Sequence, residues 1–230
     1  MRAKNTAYLV VLSILISGYA YIAACTHKDE VVASNGANIQ RGTLTLTLDP
    51  INNPNLVFEK SHSNVGWETP YAGSLSLLTG RFNSFGFNSF KFDESHPENT
   101  AFEAWVQLNT VNTSEPGRDT GCLLKTYHTG KIGTIDQNVD SNLAVLKTTS
   151  VQFSPTDKGY IVTGTLKFNG VTNAITGKLT YDGSAPSGTK TKYGFSFNFQ
   201  ILANTDYLLN STNIADNVQI KCNAIFTYTP

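Results

Sequence analysis

The chain has 230 residues, 40% hydrophobic and 15% charged, with 17 basic and 17 acidic side chains. That length supplies one domain of ordinary size plus a terminal extension, and the balanced charge gives the whole chain no pull towards nucleic acid. A single Met beside 13 Phe and 10 Tyr, with abundant Thr, Asn and Ser, favours strands over helices.

Residues 1–24 stand apart from that pattern. Arg2 and Lys4 make a short basic start, and Ala7 to Ala24 is an uncharged, mostly apolar run ending in small residues just before Cys25. This is the layout of a secretory signal. An uncleaved anchor is the alternative, because about 18 such residues could just span a bilayer. Ile22-Ala23-Ala24-Cys25 resembles the lipobox of bacterial lipoproteins. That resemblance implies that the peptide before Cys25 is removed and that Cys25 is acylated and holds the chain to a membrane. Removing Arg2 and Lys4 leaves 15 basic against 17 acidic residues. Thr26, not Asp, follows the cysteine, which resembles lipoproteins sent to the Gram-negative outer membrane. Lys28-Asp29-Glu30 is similar to a short surface-export tag, so the expected address is that membrane's periplasmic face or the cell surface. Residues 25–41 are small and polar and read as a flexible tether to a domain over 42–230.

The rest of the chain alternates strand and turn signals. Leu44, Leu46 and Leu48 alternate with threonines before Asp49-Pro50, and a second strand segment runs from Leu56 to about Trp67. Leu75 to Phe92 is long: Phe82, Phe90 and Phe92 share one parity, while Phe85 and Phe87 share the other. A bulge near Gly86 would reconcile them. Phe102, Ala104, Val106 and Leu108 form the next dry face. From Pro116 to Asp140 the pattern dissolves into a long loop with room for one short helix. Leu143 to Phe153 resumes as strand, and Tyr160 to Tyr181 then forms a hairpin. Asn169-Gly170 supplies the two positive-φ positions of a type I′ turn. That turn predicts Phe168 opposite Val171, Gly164 opposite Ile175 and Val162 opposite Gly177. Tyr193, Phe195, Phe197, Phe199 and Ile201 share the clearest dry face, and Val218 to Tyr228 supplies the last one. Eight to ten short strands imply an antiparallel barrel or sandwich, and a barrel of about eight can hold one small ligand.

Four blocks make the chain recognisable: His62-Ser63; Gly80-Arg81-Phe82 with Phe85-Gly86; Arg118-Asp119; and Gly164-Thr165-Leu166-Lys167-Phe168-Asn169-Gly170-Val171-Thr172. Their order and spacing over roughly residues 56 to 228 resemble the YceI-like family. The resemblance implies an all-β, antiparallel lipocalin-like barrel of about eight strands with an apolar lumen. It also implies a secreted or periplasmic protein, some of whose relatives hold long polyisoprenoids such as quinone tails, and no catalysis. The chain departs from the family pattern at Thr120-Gly121-Cys122, at Pro70-Tyr71, at the polar stretch Lys125 to Asp140 and at Asn204-Thr205-Asp206.

Apolar stripes by themselves read as core; the resemblance turns them into the wall of a cavity. The expected ligand-binding residues are Val106, Leu108, Val162, Leu166, Phe168, Ile175, Phe195, Phe197 and Phe199. At about 0.3 kcal/mol per heavy atom, a chain of some 30 carbons would gain roughly 9 kcal/mol there. Cys122 and Cys222 form a candidate disulfide closing a loop of about a hundred residues, worth ~4–5 kcal/mol in the chain-entropy model; two free thiols are the alternative. His27, His62, His96 and His128 are scattered, and no nucleophile elbow or phosphate loop is present. His62 and Ser63 are neighbours on a strand and so face opposite ways, and Arg118-Asp119 reads as a surface or turn ion pair. No catalytic residue, metal or cofactor is therefore expected. The partners expected are a lipid ligand and a membrane, with a homodimer left open. The competing reading is a β-sandwich adhesion or glycan-binding module with Trp67 and Trp105 exposed as stacking platforms. An integral outer-membrane barrel is disfavoured, because Thr163, Thr165, Lys167, Thr172, Thr176 and Lys178 would face lipid.

Overall fold

The structure is a computed structural model that describes residue 44 and residues 47–127 and 142–230. The signal segment 1–24, Cys25, the tether 25–41, His128 and most of the polar stretch after Lys125 lie outside the described residues. Among those described, eleven strands form a single antiparallel sheet. They are β1 (Leu56–Phe58), β2 (Asn64–Tyr71), β3 (Ser76–Phe82), β4 (Phe85–Lys91), β5 (Ala101–Gln107), β6 (Val111–Asn112), β7 (Leu143–Ser154), β8 (Gly159–Phe168), β9 (Val171–Ser187), β10 (Lys190–Leu202) and β11 (Asn217–Tyr228). The spatial order is β4-β5-β7-β8-β9-β10-β11-β2-β3-β6, with β1 on the same edge of β11 as β2. The sheet is curled and its ends do not pair. Where β1 faces β4, the join is made by Phe58 against Phe85 and Phe87, at centroid distances of 6.2 and 5.0 Å, and not by a strand ladder. The result is an all-β open barrel.

The strand count exceeds the expected eight to ten because two predicted strands are each broken and the two-residue β6 is added at the edge. Between β1 and β2 the chain turns through a 3-10 helix at Lys60–His62. Between β3 and β4 it turns a corner at Asn83-Ser84, whose backbone N–H groups donate to the Thr110 carbonyl and to Thr110 Oγ1. The parity change expected near Gly86 falls at Asn88, where the β4–β5 register slips between Phe87 and Ser89. That bulge turns Phe85 and Phe87 to the same side as Phe90. The predicted 44–48 strand contributes one bridge, Leu48 to Phe92, with both N–O distances 2.9 Å; Leu46 lies outside the described residues.

The hairpin β8–β9 has the register that its turn predicts: Phe168 pairs with Val171, Gly164 with Ile175 and Val162 with Gly177. Asn169 and Gly170 sit at φ 50° and 74°, the positive values that a type I′ turn requires. The dry face of β10 is buried throughout, from Tyr193 to Ile201.

The segment read as a loop after Pro116 contains a helical run, α1 (116–126), built from two short α turns around a π turn at Asp119–Leu123. Pro116 opens it and the Glu115 carboxylate accepts from Gly117 N–H. The run has no strong 3.6-residue pattern because it is short and buries only its inner side: Leu123, Leu124 and Tyr127 point into the barrel. Arg118 and Asp119 clamp Thr113 and form no direct surface ion pair. Thr113 Oγ1 donates to Asp119 Oδ1 at 2.5 Å and accepts from Arg118 Nε at 2.9 Å.

Candidate functional site

Inward-facing residues of β1–β5 and β7–β11 border a partly open apolar cavity of about 140 Å³. Its wall is built of aromatic rings, aliphatic side chains and one thiol, with the amides of Asn64 and Asn223 as the polar exceptions. Only part of the lumen is hollow. Below the cavity the protein's own rings fill the barrel: Phe90 stacks on Phe226 at 4.2 Å, Phe92 meets Phe195 at 4.9 Å, and Phe92 meets Tyr160 at 5.4 Å. Ring pairs at these separations add about 0.5–1.5 kcal/mol each beyond the area they bury, so the plug is a stable floor. On the side of α1, Tyr127 closes over Trp67 and Phe168 at 6.4 and 6.3 Å.

Seven of the nine predicted residues border the cavity: Val106, Leu108, Leu166, Phe168, Phe195, Phe197 and Phe199. Val162 and Ile175 do not; both are buried in packed core. The reason is the ring of Phe197. It lies on Gly177, the residue opposite Val162, so closely that a Cβ there would stand 2.7 Å from two ring carbons. The space that Val162 would otherwise reach is therefore occupied. Ile175 lies beyond the last β9–β10 pair, Gly177 with Phe199.

Sequence reasoning left out Trp67, Phe82, Phe87, Tyr127, Ile220 and Cys222, which also line the cavity. The alternation of the last strand already placed Ile220 and Cys222 on one dry face. No periodic signal marks Tyr127, which arrives at the end of an irregular helix. Its phenol is pushed above the usual tyrosine range by burial, with the nearby Asp119 charge adding to the shift. Burial alone pushes the Cys222 thiol up to about 12.

Cys122 and Cys222 are free thiols, so the candidate disulfide is corrected to its alternative. Cys122 is exposed on α1, whereas Cys222 sits on the cavity wall. Among the described residues no group of three or more His, Cys, Asp or Glu could hold a metal. His62 contacts Glu59 and His96 lies 3.8 Å from Asp93, both on the surface. The exposed stacking platforms of the adhesion reading are absent. Trp67 is 3% exposed, and its ring covers Gly80. Trp105 is half-buried against Gly86.

Residues 56–226 match the family described as the YceI-like domain. The chain belongs to the YceI-like family. It is 30% identical over 162 residues to a UPF0312 protein of Yersinia enterocolitica, covering 70% of this chain and 74% of that one. A UPF0312 protein of Yersinia pseudotuberculosis is 29% identical over 167 residues, with the same coverage. Among solved structures, Burkholderia cenocepacia BcnA aligns with TM-score 0.54 at 15% identity, covering 74% of this chain and 99% of its own. A Campylobacter jejuni YceI protein aligns with TM-score 0.51 at 20% identity, covering 66% and 85%. At those identities the two structures speak for the fold alone. A YceI-like open barrel with a dry, ring-lined hollow can receive an apolar ligand. Its wall presents no acid, base or nucleophile set up to react with one.

Proposed function

We propose that the protein is a lipid-anchored envelope protein that holds a long apolar ligand (an isoprenoid, a quinone tail or a similar lipid) by its chain end in the barrel. The observation that carries this reading is the apolar cavity between the aromatic floor and Tyr127. Its size sets what it takes. A cavity of about 150 Å³ lined by aliphatic and aromatic groups accepts benzene, so about 140 Å³ suits roughly one isoprene unit. Five buried carbons are worth about 4 kcal/mol, well short of the ~9 kcal/mol expected for a fully enclosed thirty-carbon chain. The remainder of a long ligand lies outside this hollow.

Anchoring rests on the lipobox resemblance. Acylated Cys25 would hold the chain to the Gram-negative outer membrane, with 25–41 as tether, 42–230 as the barrel domain and no nucleic-acid partner. Mass spectrometry of the mature N-terminal peptide is expected to show acylation at Cys25; an unmodified Cys25 or a retained leader overturns the anchor. For the ligand, protein purified from its native host is extracted into organic solvent and the extract is analysed by mass spectrometry. A stoichiometric isoprenoid or comparable lipid is expected, and a lumen still empty after lipid feeding overturns the carrier reading.

A further inference from the structure

We propose that the hairpin between β2 and β3 inserts its tip into the surface of a lipid bilayer; this rests on the reading of the protein as lipid-anchored. From Tyr71 to Leu77 every residue is exposed. Leu75 is 88% exposed, Tyr71 58% and Leu77 57%. No charged side chain occurs from Thr69 to Gly80. Scattered exposed leucines are ordinary on a protein surface, but large apolar side chains gathered on one uncharged tip mark a surface that leaves water on contact. The opposite end of the barrel lacks such a tip. Its exposed apolar side chains, Ile51, Val57 and Phe153, come one each from the turn before β1, from β1 and from β7.

The build of the tip favours a bilayer over a protein partner. Tyr71 pairs with Ser76 and Pro70 with Leu77, and neighbours along a strand face opposite ways. Apolar groups therefore leave both faces of the hairpin: Pro70 and Leu77 on one, Tyr71 on the other, with Leu75 at the turn. A docked protein covers one face and leaves the other wet, whereas a bilayer surrounds both. Tyrosine suits the collar of such a tip, with its ring in the apolar layer and its hydroxyl in the polar one. Ala72, Gly73 and Ser74 make the tight turn at φ 49°, 69° and 81°. Among the described residues β6 pairs with β3 only at Arg81 and Phe82. The outer edge of β3 near the tip therefore still needs water or headgroups for its backbone groups. That confines immersion to the interfacial layer, about 5–10 Å deep.

The hairpin also stands at the right end of the molecule. At its base Thr69 Oγ1 donates to the carbonyls of Ala215 and Asn217. The loop that carries Ala215 also carries Ala203 and Ile214, which line the apolar cavity, and Leu208, which is 57% exposed. Asn169, at the end of β8, donates through Nδ2 to the Tyr207 carbonyl of that loop. The tether enters at the other end, where Leu44 N–H donates to Glu94 and Leu48 pairs with Phe92, whose ring packs on Tyr160 at the start of β8. Cys25 lies nineteen residues before Leu44, a reach of about 63–68 Å when extended. The longest inward-facing strand beside the cavity loop, β10, has 13 residues and spans about 44 Å. An acylated Cys25 thus leaves enough chain for the hairpin end to meet the membrane.

The test uses the full chain purified from its native host and reconstituted with vesicles of phosphatidylethanolamine and phosphatidylglycerol that carry brominated acyl chains. Leu75→Trp adds a fluorophore at the tip and Phe153→Trp one at the opposite end, each read against the background of Trp67 and Trp105. Flotation reports whether the chain is attached to the vesicles at all. The tip tryptophan of Leu75→Trp is expected to be quenched at least about twofold and to shift its emission to the blue, while Phe153→Trp shows neither change. Adding Leu77→Ser to Leu75→Trp is expected to remove at least about half of that quenching. Leu75 and Leu77 are exposed, so these substitutions leave the core intact. A chain that floats with an unquenched Leu75→Trp overturns the docking and leaves the anchor standing. Quenching of Phe153→Trp in place of Leu75→Trp overturns it in favour of the opposite end. A chain that does not float overturns anchor and docking together. The ligand extraction stands apart from all of these outcomes.

Discussion

Single side chains decide much of what this barrel can do, and two of them do so through their surroundings. Cys222 carries the same thiol as Cys122, yet its position on the apolar wall pushes its pKa up to about 12. A thiol that stays protonated is a poor nucleophile. Labelling of the native protein with a maleimide is therefore expected at Cys122 and not at Cys222. Denaturant should expose both, and reductant should change neither result; protection of Cys122 in the native state would restore the disulfide. Glu59 works in the opposite direction. Thr227 Oγ1 at 2.8 Å, Lys192 Nζ at 3.0 Å and His62 hold its carboxyl down at about 2. Its contribution to stability is present above the ordinary carboxylate pKa and is lost as pH falls through about 2. Glu59→Gln is thus expected to lower the melting temperature at pH 7, with the difference shrinking as pH falls towards 2 and vanishing only below it. A shift of the same size at both pH values would show that the group matters for packing and not for charge.

At the scale of elements, the β8–β9 hairpin was legible residue by residue. A two-residue turn with positive φ at both positions fixes the register, and alternation fixes the faces. The breaks after Phe58 and Phe82 were not legible, because both are imposed by partners distant in sequence. The Asn83-Ser84 corner is held by Thr110. The first half of the β1–β2 edge pairs with Phe226–Tyr228 and the second with Gln219–Asn223. For α1 the residues left room for one short helix but not its bounds or inner face, for a related reason: its Asp119 is tied to Thr113, and its apolar residues cluster at its end. The contact between strands β9 and β10 gives a direct test. Gly177→Ala would push a methyl against the Phe197 ring and is expected to cost about 1–3 kcal/mol in urea unfolding. Phe197→Ala alone is expected to cost about 3–5 kcal/mol. In the double variant the Gly177→Ala penalty should shrink, since the ring is gone and only the Asn198 carbonyl oxygen, 2.9 Å from the new methyl, still crowds it; simple additivity would count against this packing.

For the whole molecule, function depends on how completely the rings fill the space they surround. Ala144 lines the cavity and is small. Ala144→Phe places a ring in the hollow, and its expected effect is a stability change of no more than about 3 kcal/mol with at least a tenfold loss of dodecanol affinity by calorimetry. Retained affinity would mean that the ligand lies elsewhere. Backbone alternation and turn chemistry are local, so the strand class, the hairpin register and the apolar faces are legible in the residues alone. So are the family and most of the residues that meet at the cavity. How much of the interior is hollow, that Val162 and Ile175 are core, and that Lys60 and Arg81 come together beside the Asn83-Ser84 corner emerge only once the chain is folded. Those outcomes depend on which ring lands over which glycine and on where a curled sheet fails to close. Both are set by contacts between residues far apart in the chain.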